Sequence, residues 1–282
     1  MLRAETLGQA VSSADGSAHA PCVAGADGTP DARRRVRLAR QRRCFSQADL
    51  RSTDMTQGTP SPFADPTAVA SYAADAPRKV PGLADLHRMA GLLLAERAAA
   101  AAHVLVVGAG GGLELAALAQ SRPAWRFTGV DPSPAMLDLA RRAVSPYADR
   151  IVLLEGTVDQ APAGPFDGAT CLLTLHFLDR AERLRTLQAI RRRLAPSATL
   201  VIAHHAAVGD DPQRWLARSA AFGDRADVDW AKAMASGEAM AARLPLLAPA
   251  EEEALLREAG FADVALFYAA LSFRGWVATA TA

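Results

Sequence analysis

VLVVGAGGGLELAALAQSRPAWRFTGVDPSPAMLDLARR, from Val104 to Arg142, decides the fold. Val104 to Val107 is a short apolar run of buried-strand type, and it halts at Gly108, Gly110, Gly111 and Gly112, residues that let main chain approach a ligand with no Cβ in the way. A helix is expected from Leu113, with its unpaired N–H groups facing whatever the loop holds. The next strand, Trp125 to Val130, ends at Asp131, whose carboxylate can accept from both hydroxyls of a ribose. Asp131 follows the glycines by roughly 20 residues, the spacing of a nucleoside-binding strand–helix–strand unit. A glycine loop alone is a weak signal; joined to this aspartate, it points to a nucleoside cofactor.

Working outward, Val80-Pro81-Gly82 leads into a helix whose apolar stripe is Leu83, Leu86, Met89, Leu92, Leu93 and Leu94. Later strands are expected at Ile151–Leu154, Ala169–Leu175 and Ala198–Ala203, with helices at Pro134–Val144 and Ala181–Leu194 between them. Strand and helix alternate, so the sheet should be mainly parallel. Residues 206–247 read as a helical excursion, EEEALLREAGF as a helix ending at Gly260, and Val264–Leu271 with Phe273–Ala280 as two closing strands. The expected class is α/β, a Rossmann-like three-layer αβα sandwich with a mostly parallel seven-stranded sheet and an antiparallel C-terminal strand.

Half of the 282 residues are apolar, enough for one sizeable core, and no apolar run approaches the roughly 20 residues of a membrane span. Residues 1–57 read as a disordered, Arg-rich extension ahead of a helical arm at 58–102 and a core at 103–282. The first 54 residues carry a net charge of +3 and residues 55–282 a net charge of −2, so the basic character belongs to the extension. Met55 opens a new composition and is an alternative start; the first residues lack the apolar stretch of a secretory signal. Cys22, Cys44 and Cys171 show no metal spacing, and a reducing cytoplasm is the expected compartment. A wide nucleic-acid face is not favoured at a net charge of +1. No metal is expected, because adjacent histidines on a strand point opposite ways.

The G-x-G-x-G spacing of Gly108, Gly110 and Gly112, with DPSPAML after it, resembles the first two motifs of class I S-adenosylmethionine-dependent methyltransferases. Leu113 stands where a dinucleotide fingerprint wants its third glycine, which counts against a nicotinamide-dependent oxidoreductase. The resemblance implies S-adenosyl-L-methionine as cofactor. Gly108, Ala109 and Gly110 would lie against its methionine part, Asp131 on the ribose, and Pro132 and Met136 beside the adenine. Thr157 and Val158 match the adenine-edge position, and Leu172 the ribose-facing one. Arg78 and Lys79 would reach over the cofactor from the arm.

VPGLADLHRMAGLLLAER, LLTLHFLDRAERLRTLQAIRRRLAP and LLREAGFADVALFYAALSFRGWVA are similar in order and spacing to carboxy-S-adenosylmethionine synthases of tRNA wobble-uridine modification. That branch holds an extra carboxylate with an arginine. Its position falls near Gly237 here, with Arg243 displaced, while the branch's asparagine and aspartate fall at Leu172 and Thr157. The expectation is therefore ordinary S-adenosylmethionine and a small-molecule methyl acceptor, with the synthase and a non-catalytic cofactor binder as alternatives. His176, His204 and His205, at the ends of the fourth and fifth strands, are candidate catalytic groups beside readings as buried polar residues. The 206–247 excursion would be a lid over the substrate, and a homodimer is left open.

Overall fold

The computed structural model describes residues 66–224 and 227–282. The readings of residues 1–57, including Cys22, Cys44 and Met55, lie outside the described residues. β1 (His103–Val107) has Val104, Leu105 and Val106 fully buried, as a strand covered on both faces requires. It is flanked in parallel by β2 (Arg126–Asp131) and β4 (Phe166–Leu172). β3 (Ile151–Glu155) pairs with β2, and β5 (Leu194–His205) with β4. β7 (Phe273–Ala280) then runs antiparallel between β5 and β6 (Phe261–Ala270), which gives the order β3-β2-β1-β4-β5-β7-β6.

Alternation along β1 divides the core. Val104 and Val106 pack with Leu86, Ala90 and Leu94 of α2 (Leu83–Ala95) and Leu115 and Leu118 of α3 (Leu113–Ser121). Leu105 and Val107 pack on the other side with Leu187 and Ile190 of α5 (Arg180–Arg191) and Leu255 and Leu256 of α8 (Pro249–Glu258). The remaining helices are α1 (Pro66–Lys79), α4 (Pro134–Ala143), α6 (Pro212–Gly223) and α7 (Trp230–Arg243). Local signals set the starts. Ser133 Oγ accepts from Met136 N with Pro134 in the first turn of α4, and Asp179 with Glu182 forms a reciprocal cap on α5.

Among the boundaries that differ from the sequence reading, three have a clear cause. The apolar run expected as strand to Leu175 stops at Leu172, because Leu173 takes φ 57° and Leu175–Phe177 coils into a 3₁₀ turn. β5 starts at Leu194 rather than Ala198, since Leu194 pairs with Phe166 and Ser197, at φ 63°, sits where the register shifts. β6 begins at Phe261, paired with Ala280, three residues earlier than periodicity suggested. The 206–247 excursion contains α6 and α7, which cross closely: a Cβ on Gly237 would lie 2.7 Å from Ala217 N.

Candidate cofactor and substrate site

The glycine loop is pinned from below. Gly108 N and Ala109 N both donate to Val130 O at 2.9 Å, so the loop follows the end of β2. Gly108, at φ 74°, leaves room for the Thr174 side chain, and Thr174 Oγ donates to Leu172 O at 3.0 Å. Gly112, at φ 80°, has Ala140 Cα of α4 only 2.8 Å from where a Cβ would stand. At these two positions the missing side chain makes space for protein rather than ligand, a correction to the simplest reading of the motif. Gly112 gives α3 no side-chain cap, so the first-turn N–H groups remain to face a ligand.

Asp131 ends β2 with its carboxylate already engaged: Oδ2 accepts from Gly110 N at 2.8 Å and Oδ1 from Ser133 N at 2.9 Å. Each oxygen retains a second lone pair for an external hydroxyl. Burial raises its pKa, and the Ser133 and Gly110 amides pull the other way. Met136 is buried, its Cε 3.5 Å from the position of a Cβ on Gly110, while Pro132 is exposed. Thr157 caps a short 3₁₀ turn, accepting from Asp159 N at 3.4 Å and donating to Gln160 Oε1 at 3.1 Å. Val158 is buried just beyond it.

A small cleft, open to solvent, lies above the loop between Tyr72, Leu83, His87, Gly108, Glu114 and Leu172. Tyr72, His87 and Glu114 escaped the sequence reading. Tyr72 stands alone in an Ala-rich stretch, and Glu114 resembles an ordinary first-turn acid on a helix. Tyr72 lies on the loop, its hydroxyl 3.4 Å from a Cβ on Gly110; burial, then Glu114 and Asp131, push its pKa up to about 12. Burial lowers His87 to about 4. Arg78 and Lys79 pair instead with Asp75 at 3.5 and 3.4 Å on an exposed part of α1, so the arm meets the loop through Tyr72.

The three candidate histidines gather at the C-terminal ends of β4 and β5, with the His176 ring 5.1 Å from His205 and 6.4 Å from His204. His204 has no exposed surface; its Nε2 lies 2.9 Å from Glu252 Oε1, and Glu252 is ion-paired with the equally buried Arg183. Arg183 also donates to Leu178 O and Pro245 O. His204 therefore ties β5 to α8, which corrects the expectation that it faces a substrate. His205 Nδ1 lies 2.7 Å from Ser272 Oγ, and its ring stacks on Phe273 at 3.8 Å. Burial, with His204 beside it, lowers His205 to about 3. His176 sits in the 3₁₀ turn, not on a strand; its Nδ1 has no partner, and burial holds its pKa well below the usual range. Among the described residues no cluster of three metal-ligating side chains occurs, and no helix is long and apolar enough to cross a membrane.

A parallel sheet ending in an antiparallel β7, with a glycine loop after β1 and an acid after β2, defines the class I methyltransferase fold. Residues 104–197 match the methyltransferase domain family. Over 209 residues the chain is 28% identical to a carboxy-S-adenosyl-L-methionine synthase of Chromohalobacter salexigens, covering 71% of this chain and 77% of that protein. The fold is shared with a provisionally assigned O-methyltransferase of Nostoc punctiforme (TM-score 0.58, 22% identity, 81% of this chain). The chain spans only 64% of that protein's length. It also resembles an S-adenosylmethionine-dependent methyltransferase of Aquifex aeolicus (TM-score 0.54, 18% identity, 77% of this chain and 99% of that one). Residues 104–197 are thus similar to a methyltransferase domain, set in a fold shared with S-adenosylmethionine-dependent methyltransferases.

Proposed function

We propose that this protein transfers a methyl group from S-adenosylmethionine to a small molecule held at the C-terminal ends of β4 and β5. One arrangement carries the reading: the glycine loop and the uncapped start of α3 border the cleft, and Asp131 is bonded to the same loop through Gly110 N. When bound, the cofactor supplies a methyl already activated by its sulfonium. The protein's own task is then to hold an acceptor in line and keep water out. The α3 N-terminus takes the cofactor carboxylate, Asp131 the ribose hydroxyls, and Thr157 with Val158 N–H the adenine edge. Leu172 and Met136 supply apolar contact. His176 and His205 lie at the same strand ends, but burial makes both weak bases, so transfer rests on positioning the acceptor rather than on a strong base. The near-neutral charge of residues 55–282 supports a small acceptor over nucleic acid.

The similarity to carboxy-S-adenosylmethionine synthase favours a second reading, a relative working on the carboxylated cofactor. Gly237 weighs against it: α6 main chain fills the space beside this residue, and Arg243 is exposed at the end of α7. Calorimetric titration of the full chain with S-adenosylmethionine, S-adenosylhomocysteine, carboxy-S-adenosylmethionine and NADH separates these readings. Micromolar binding of the first two, lost in Asp131→Ala, is expected. Preference for the carboxylated form would favour the synthase, and binding of NADH alone would overturn the assignment.

A further inference from the structure

Glu114 is the buried charge that the fold leaves unanswered. It lies in the first turn of α3, is 7% exposed, and borders the cleft beside Gly108, Ala109 and Leu113. Its Oε1 has no hydrogen-bond partner. The neighbouring Thr170 hydroxyl, on the middle of β4, gives it only partial relief from burial. A buried carboxylate oxygen without a partner is a costly feature in a folded chain. Of the residues lining the cleft, Glu114 is the one that carries a carboxylate.

The same turn supplies the opposite polarity. The α3 N-terminus offers main-chain N–H donors with no side-chain cap, a place for an anion. Donors for a carboxylate and an acceptor for a cation within one helical turn match the two ends of an α-amino-acid zwitterion. We propose that Glu114 is the counter-charge for the α-ammonium of the ligand's amino-acid end, so that the first turn of α3 is a zwitterion receptor. This rests on the methyltransferase reading of the cleft, and it assigns a binding role to a side chain outside both the glycine motif and Asp131. Glu114 is raised to about 7 by burial, so it is partly protonated before the ligand arrives, and the incoming ammonium drives its proton off.

Two measurements on the full chain test this. Glu114→Gln, isosteric with the protonated acid, is expected to weaken S-adenosylhomocysteine binding by about 10- to 100-fold. It should leave methylthioadenosine, which has no amino-acid end, within about twofold. The wild-type chain alone supplies the second measurement: calorimetry near pH 6.5 in two buffers of different ionisation enthalpy should show proton release with S-adenosylhomocysteine and none with methylthioadenosine. Equal losses for both ligands in Glu114→Gln, or binding without proton release, would overturn the receptor. Wild-type binding of the two ligands with equal affinity would remove the receptor but leave the adenosine site standing. Binding of neither would remove the methyltransferase reading itself.

Discussion

Replacing Glu114 by glutamine should make the ligand-free protein more stable, and the gain should grow with pH. The folded carboxyl titrates at about 7 against an ordinary 4.5, because burial disfavours its charged form. A carboxyl whose folded pKa is raised favours the folded state only while it is protonated. That advantage is complete below the unfolded value and disappears as pH rises through the folded one. The displacement corresponds to about 3 kcal/mol once pH passes 7, and to about 1 kcal/mol near pH 5. Glu114→Gln is uncharged in both states, so urea unfolding near pH 8 should find it about 3 kcal/mol more stable than wild type. Near pH 5 the gap should shrink to about 1 kcal/mol. For a domain of this size the gain near pH 8 is roughly 6–12 °C in Tm. The histidines titrate alike in both proteins and cancel in the comparison. A variant no more stable than wild type at either pH would refute the claim that Glu114 is a desolvated charge retained for a ligand.

Three other outcomes are expected. Glu252→Ala leaves Arg183 fully buried without its ion pair and His204 Nε2 without its acceptor, a loss of about 3–5 kcal/mol by chemical denaturation; a loss under about 1 kcal/mol would contradict the buried network. His87, at about 4, and His205, at about 3, have folded pKa values below the ordinary 6.5, so stability present above pH 6.5 should decline as pH falls toward 4. His205→Phe should flatten that decline in unfolding curves taken across the window, and an unchanged slope would argue against a buried neutral His205. Gly112→Ala combines φ 80° with a backbone clash at 2.8 Å, and should lower the unfolding midpoint by the equivalent of about 1–3 kcal/mol; an unchanged midpoint would show that α4 yields freely.

Periodicity and punctuation, both local, placed the β1–α3–β2–α4 elements correctly. The Val104–Val107 run, the glycine turn after it, the end of β2 at Asp131 and the Ser133-Pro134 start of α4 are each marked within a few residues. The antiparallel ending was legible because two β-rich runs lie on either side of a short turn. Boundaries set by partners were not legible. Nothing in LLTLHFLD announces the turn at Leu173, because Thr174 occupies the space left by Gly108, a residue on another strand's loop.

The sequence by itself determined the class of fold, because that follows from patterns that repeat every two or every 3.6 residues. Tertiary structure alone decided what the polar residues do. His204 and His205 are neighbours in sequence, yet one is bonded to Glu252 in the core and the other stacks on Phe273. Tyr72 and Gly110 come together only because α1 packs on the loop, and Glu114 becomes a buried carboxyl with one oxygen unpartnered only because α3 lays it against β4. Burial is a property of all the elements around a side chain, and no window of sequence contains it.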